Sequence, residues 1–367
     1  MIRVLQVYPQ MNNAGTEMVI MNIVKNVSCE EIHFDFLVQK KGIRDKEIKS
    51  LGGNIYYIKN NKKIEYYRKL IDFFTDNCDI DIVHVHTHKE MGIVLKAAKK
   101  ANIKVRIAHS HNARQDLPKL GSVYKYFSSW NIEKYATDFF ACSNEAAKWL
   151  FPRKYKKFVF VPNGINTKKF MFSKEKRINI RNAIGISESD FVVGHVGRLA
   201  KQKNHDYLLE IARKCNDKNI KFVCVGEGPL LKKINEKIKK NHLENKVIMV
   251  GASKDVEKFY CAFDMFILPS LHEGLGIVAI EAQASGLYCL LSTNVPKTAD
   301  TNNNQCQFLS INKENIDIWI KKINDIRDIY KISHRKKINK LISNSIYDII
   351  YSSEITKKYY IEKLNKM

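Results

Sequence analysis

Apolar residues recur along the chain in short runs, each closed by polar or glycine-containing turns and most followed by a helix-length stretch of mixed character. Runs at 2–8, 34–38, 54–58, 82–86, 105–109, 139–143 and 158–161 read as one series of strands. A second series lies at 191–196, 221–225, 247–250, 265–268 and 288–292. Strands alternating with helical segments predict parallel sheets covered by helices on both faces. The polar, basic stretch 166–188 separates the two series. At 367 residues the chain exceeds the size at which one core keeps growing, and a hydrophobic fraction of 45% supplies two. The expected domains are 1–168 and 169–345, with a C-terminal helix over 346–367 that crosses back to the first.

The segment after the run at 265–268 carries two carboxylates, Glu273 and Glu281. Apolar spacing from Gly274 to Ser285 predicts a helix with Glu273 at its N-terminus. Glu281 then lies about 12 Å further along the axis. Backbone N–H groups and the helix dipole between them favour an anion, so a phosphate flanked by two hydroxyl-bearing groups fits. An isolated Glu is usually a solvated helix residue. Glu281, however, stands among Ile280, Ala282, Ala284 and Gly286, where an unpaired carboxylate is costly. Gly197 and Arg198 follow the run at 191–196, and Lys203 comes five residues later. A glycine lets backbone approach a ligand, while Arg and Lys supply donors for a diphosphate.

The formal charge of +24 admits nucleic acid, an anionic membrane face or anionic substrates as partners. Lys is dispersed through almost every segment, with denser blocks at 40–49, 59–69, 96–106 and 153–157. In the second block Ile64, Tyr66, Tyr67, Leu70, Ile71, Phe73 and Phe74 interleave with Lys62, Lys63, Arg68 and Lys69. That is the make-up of a basic amphipathic helix at a lipid surface, or of a helix packing one face on its own domain. Residues 1–7 open on a strand pattern and not on the apolar stretch of a signal peptide, and no run approaches a membrane span. The eight cysteines form no C-x-x-C pair, and Cys142, Cys224 and Cys289 sit in apolar runs, as reduced core thiols of a cytosolic protein do.

The runs V-G-R-L-A-K-Q-K-N at 196–204, V-G-E-G-P-L at 225–230 and L-P-S-L-H-E-G-L-G-I-V-A-I-E-A-Q-A-S-G-L at 268–287 resemble the retaining glycosyltransferases of family 4. The first half agrees, with N-A-G-T-E at 13–17, H-S-H-N at 109–112, A-C-S-N-E at 141–145 and V-P-N-G-I-N at 161–166. The likeness covers most of the chain, fades after about Ile311, and is nearest to bacterial exopolysaccharide and capsular polysaccharide transferases. It implies the GT-B fold, two Rossmann-like doubly wound domains facing a central cleft, the first binding acceptor and the second the nucleotide-sugar donor. It further implies that Arg198 and Lys203 hold the donor diphosphate, that Glu281 binds the ribose hydroxyls and that Glu273 contacts the donor sugar. Backbone at Gly197, Gly274, Leu275 and Gly276 completes the phosphate site, the Gly15 loop approaches it from the first domain, and His109 is the active-site histidine. Ala14 replaces the first glycine of the family's usual pair, which bears on the loop path. Gly276 and Tyr288 stand where proline is frequent, a change of local rigidity.

The expected activity is transfer of a hexose or N-acetylhexosamine from a UDP-linked donor to a glycan or lipid-linked glycan, in a cytoplasmic protein peripheral to the inner membrane face. No cofactor or metal is expected. Asp79-Ile80-Asp81 matches the D-x-D of metal-dependent transferases but reads as a turn leading into a strand. His84, His86, His88, His109 and His111 gather at two strand ends, where a metal site is conceivable, yet no carboxylate or thiolate completes a familiar ligand set. Ser143 reads as a helix cap and Asn163-Gly164 as a turn. Alternatives are a GT-B nucleotide-sugar epimerase, a glycan phosphorylase, whose pyridoxal-binding lysine context is missing, or a basic nucleic-acid-binding protein. For the last no RNP, zinc-finger or helix-turn-helix pattern accompanies the charge.

Overall fold

The computed structural model describes residues 1–12, 15–27, 31–87, 90–111, 121–330, 332–343 and 345–366, with backbone alone at 121–127. Asn13, Ala14, Cys29, His88 and Asn112, which the sequence reading drew on, lie outside the described residues. The chain divides into two compact units, Met1–Gly164 with Ile349–Met367, and Ile165–Asp348.

The first unit is built on a parallel sheet of β1 (Ile2–Val7), β2 (Ile32–Val38), β3 (Ile55–Tyr57), β4 (Ile82–Val85), β5 (Val105–Ser110), β6 (Asp138–Ala141) and β7 (Val159–Phe160). Their spatial order is β3-β2-β1-β4-β5-β6-β7. The second sheet holds β8 (Phe191–Val196), β9 (Ile220–Val225), β10 (Val247–Gly251), β11 (Met265–Leu268), β12 (Tyr288–Ser292) and β13 (Cys306–Leu309), ordered β10-β9-β8-β11-β12-β13. In each sheet the winding reverses beside the unit's first strand, between β1 and β4 and between β8 and β11. Ligands of doubly wound sheets settle beyond the strands' carboxyl ends at such a switch point.

Helices follow the strands. In the first unit they are α1 (Gly15–Val27), α2 (Asp45–Ser50), α3 (Lys63–Asp76), α4 (Met91–Lys100), α5 (Gly121–Tyr135) and α6 (Asn144–Leu150). The second has α7 (Lys174–Ala183), α8 (His205–Lys214), α9 (Leu231–Lys240), α10 (Val256–Ala262), α11 (Ile277–Ala284), α12 (Ile316–Ile329) and α13 (Arg335–Ile342). The last helix, α14 (Ile349–Asn365), belongs to the first unit and packs on α1. Asp138 fixes it from β6, accepting hydrogen bonds from Tyr359 Oη at 2.5 Å and Lys363 Nζ at 2.7 Å.

The twelve strands expected from the sequence are present, each within two residues at either end. β13 was missed because it is a half-buried edge strand behind an Asn-rich turn and lacks the fully apolar run of its neighbours. The units divide after Gly164 and after Asp348, where the sequence reading placed boundaries at 168 and 345. Residues 165–170 stay with the second unit because Ile165 N–H donates to Tyr347 O (2.9 Å), Thr167 Oγ1 donates to Asp348, and Asn339 Nδ2 reaches Thr167 O (3.0 Å).

In α3 the apolar face packs on the first unit and the cations stay outside. Tyr66, Leu70 and Phe74 are buried in the first unit, Phe73 meets Tyr56 edge-on, and Ile64 remains 78% exposed. Lys62, Lys63, Arg68 and Lys69 all face solvent. Among the described residues no helix is long and apolar enough to cross a membrane.

Candidate active site

At the switch point of the second sheet, the loops after β8 and β11 are laced together. Leu271 N–H donates to Gln202 O at 2.8 Å, Asn204 Nδ2 to Pro269 O at 3.1 Å, and Gln202 Nε2 to His272 O at 3.0 Å. Lys203 Nζ bonds Glu273 at 2.7 Å, and Ser270 Oγ donates to the same carboxylate oxygen at 2.6 Å. Gly197 makes room for this pair, since a Cβ there would meet Lys203 Cε at 3.0 Å. The V-G-E-G run supports the loop from below. Cβ atoms at Gly226 and Gly228 would lie 2.0 Å from Gly197 O and 2.5 Å from Leu199 O, so only glycines permit the approach. Arg198 is exposed and makes no ion pair among the described residues.

Glu273 does not stand at the helix N-terminus, as the sequence suggested. It precedes the N-cap, Gly276, whose φ of +80° turns the chain into α11 at Ile277. Proline cannot adopt that angle, so Gly276 sets the loop path itself and not merely its rigidity. The run of free rise from Glu273 to Glu281 therefore does not hold, and the buried Gly274 and Leu275 belong to the loop. Glu281 lies on α11 and accepts a hydrogen bond from Tyr260 Oη of α10 at 2.8 Å. Burial pushes its carboxyl up to about 7, against the opposing pull of Tyr260, Lys169 and Lys203. Arg335 anchors α11 and α10 by donating to the carbonyls of Ser285 (2.8 Å), Tyr260 (2.7 Å), Cys261 (3.1 Å) and Phe263 (3.0 Å), which fills the acceptors left open at both helix ends.

In the first unit, β4 and β5 place His84, His86, His109 and His111 on one face as a stacked, buried array. The His84–His86 centroids are 4.3 Å apart and those of His109–His111 4.0 Å. Nitrogens of His84 and His109 are 3.0 Å apart and those of His86 and His111 2.8 Å. His86 also reaches Gln6 (2.6 Å) and His84 reaches Tyr360 of α14 (2.5 Å). Burial, then neighbouring histidines, holds His84, His86 and His109 well below the usual imidazole range, so they are neutral. His84, His86 and His109 bring their donor atoms within 4.8 Å. Each of the three already has a ring nitrogen in a hydrogen bond of the array.

Gly15 opens α1 after β1 and is exposed. Ser143 caps α6, accepting from Ala146 N–H at 3.1 Å. Asp79 and Asp81 serve Arg3: Asp81 accepts its backbone N–H at 2.8 Å and Asp79 its guanidinium. Sequence reasoning missed Tyr260, Ser270, Gln202, Gln6 and Tyr360. Ser270 and Gln202 sit inside the motifs and were available to it; the others arrive from remote helices or strands with no local pattern.

Two doubly wound parallel-sheet domains, one carrying this basic and acidic switch-point site, are the architecture of GT-B glycosyltransferases. The model of "Glycosyltransferase Family 4" matches residues 17–169 and that of "Glycosyl transferases group 1" residues 176–344. EpsF of Bacillus subtilis is 30% identical, the match covering 88% of this chain and 86% of that protein. The UDP-Gal:alpha-D-GlcNAc-diphosphoundecaprenol alpha-1,3-galactosyltransferase of Escherichia coli is 27% identical over 85% of this chain and 80% of its own. Anabaena HepE, solved in complex with UDP-glucose, superposes with a TM-score of 0.83 at 16% identity, covering all of both chains. The chain belongs to the family 4 glycosyltransferases, and it is a glycosyltransferase.

Proposed function

We propose that the protein is a retaining hexosyltransferase that moves a hexose or N-acetylhexosamine from a UDP-sugar to a lipid-linked glycan during surface-polysaccharide assembly. The observation that carries this is the constellation beyond β8 and β11, where Arg198, Lys203, Glu273 and Glu281 gather around one switch point. Glu281 accepts the ribose hydroxyls, while Arg198, Lys203 and the backbone at Gly197 and Gly274–Gly276 meet the diphosphate. Glu273 holds Lys203 and takes a hydroxyl of the donor sugar. For Gly15 and His109 the reading keeps the roles that the family resemblance implies, donor binding and catalysis.

In the reaction the bond from the anomeric carbon to the diphosphate oxygen breaks and its electron pair leaves with UDP. The acceptor hydroxyl oxygen bonds the anomeric carbon on the same face, and its proton passes to the departing phosphate. Arg198 and Lys203 stabilise the charge that develops there, which is where preorganised donors act most strongly. The cations present suffice for this role, so the enzyme works without a bound metal.

The E. coli relative's diphosphoundecaprenol-linked acceptor supports a lipid-linked substrate here. The exposed lysines and Arg68 on α3 support peripheral contact with an anionic membrane face. Isothermal titration with UDP, GDP and their sugar conjugates, with and without EDTA, tests the reading. Micromolar UDP binding that survives EDTA is expected, and the tightest conjugate names the donor. Failure to bind any nucleotide removes the proposal.

A further inference from the structure

The histidines of the first unit form one continuous hydrogen-bonded chain, Asn163–His111–His86–Gln6–Tyr360–His84–His109. Its polarity follows from Tyr360. The phenol has a single proton to give, and His84 Nδ1 lies at 2.5 Å whereas Gln6 lies at 3.4 Å and turns its amide N–H toward the phenol oxygen. The phenol is also the stronger acid of the Tyr–His pair, so it donates to His84 Nδ1. A neutral His84 then carries its proton on Nε2 and donates it to His109 Nδ1 at 3.0 Å. His109 is left with its proton on Nε2. That atom is buried and has no hydrogen-bond partner among the described residues, which is costly for a polar group.

We infer that Tyr360 and His84 are positioning residues that lock His109 in the Nε2–H tautomer, so that His109 presents a fixed hydrogen-bond donor to an oxygen of the reacting sugar. This rests on the reading of His109 as an active-site residue. The C-terminal helix thereby has a specific chemical task. Asp138, through Tyr359 and Lys363, and Ser352, which donates to Pro162 O at 2.8 Å, hold α14 against the first unit with Tyr360 in reach of β4. The stacking of His109 on His111 fixes the plane of the ring. Tautomer and orientation are both set before substrate arrives.

The test uses the full chain. Nitrogen-15 histidine NMR separates protonated from bare ring nitrogens and reads the tautomer directly. In the wild type His109 is expected with a bare Nδ1 and a protonated Nε2. Tyr360→Phe, which keeps the ring packed on Phe34, is expected to give a mixture of tautomers. A proton on Nδ1 in the wild type, or an unchanged tautomer in Tyr360→Phe, overturns the inference.

The kinetic arm follows UDP release from UDP-glucose, or from whichever UDP-sugar is turned over fastest. Tyr360→Phe should lower kcat about tenfold, the worth of roughly one hydrogen bond, with KM little changed. In a His109→Gln background, whose amide donates whatever its neighbours do, Tyr360→Phe should have no further effect. An equal loss in both backgrounds means a merely structural role for Tyr360. If His109→Ala keeps wild-type turnover, the placement of His109 at the reaction falls; if it loses turnover while Tyr360→Phe does not, only the locking falls.

Discussion

Lys203 Nζ lies 2.7 Å from the Glu273 carboxylate in a site where both side chains are nearly buried, at 12% and 8% exposure. An ammonium has three donors, so one held by Glu273 leaves two for the diphosphate oxygens of the proposed donor. On that proposal the pair keeps the cation in place before the anion arrives. Removing one partner strands a buried charge, which typically costs about 3–5 kcal/mol. Lys203→Met should therefore destabilise the protein clearly in urea unfolding. The double variant Lys203→Met with Glu273→Gln should recover much of that loss yet remain inactive. Recovery of activity along with stability would remove the pair from catalysis.

Glu281 carries a pH signature. Its folded pKa of about 7 is raised above the ordinary 4.5, so between these values the folded state binds more protons than the unfolded one. Its contribution to stability is present at low pH, falls as pH rises through that window and is flat above it. Glu281→Gln should abolish the slope and be more stable above pH 7, by on the order of 3 kcal/mol. On the proposal that ribose hydroxyls donate to the ionised carboxylate, UDP binding should release close to one proton at pH 6 and almost none at pH 8. Titration in buffers of different ionisation enthalpy measures this. Proton release equal at both pH values would take Glu281 out of the nucleotide site.

Two glycines separate local strain from loop positioning. Gly226→Ala would place a Cβ 2.0 Å from Gly197 O, so the loop bearing Arg198 must move. Gly185→Ala faces open space and suffers only its positive φ of +70°, worth about 1–2 kcal/mol. Gly226→Ala should lose both stability and UDP affinity, whereas Gly185→Ala should lose stability alone. Thermal unfolding and titration on the same samples make the comparison. Wild-type affinity in folded Gly226→Ala would show that the loop's path does not set the site.

How much of this was legible in the sequence depends on the range of the interaction. Buried parallel strands are apolar on both faces, so β8, β11 and β12 were placed to the residue. β13, half exposed at the edge, had no such signature. Of the motif positions, Gly197, Lys203 and Glu273 do come together beyond β8 and β11, because the strands that precede them are neighbours in the sheet. Glu273 was misplaced onto a helix since apolar spacing alone cannot reveal that Gly276 takes a positive φ and starts α11 later. Tyr260, Gln6 and Tyr360 could not be found from local pattern, as Tyr360 meets His84 across 276 residues of chain. The same limit hid the fate of the apolar positions of α3, which the fold consumes.

Because Tyr66, Leu70 and Phe74 are buried against the first unit, α3 has little apolar surface left to insert into lipid. Any membrane contact it makes must be electrostatic, carried by Lys62, Lys63, Arg68 and Lys69. Each such cation near an anionic surface contributes about 1 kcal/mol, and the attraction fades beyond a Debye length. Reversing all four charges should cut binding to phosphatidylglycerol-containing vesicles by a factor on the order of a thousand or more, with UDP affinity unchanged. Wild-type binding should likewise vanish as salt is raised toward about 1 M, where the Debye length shrinks to about 3 Å. Vesicle sedimentation across a salt series reads both effects. Binding that survives salt and charge reversal would mean that another surface inserts, and would remove α3 from the membrane face.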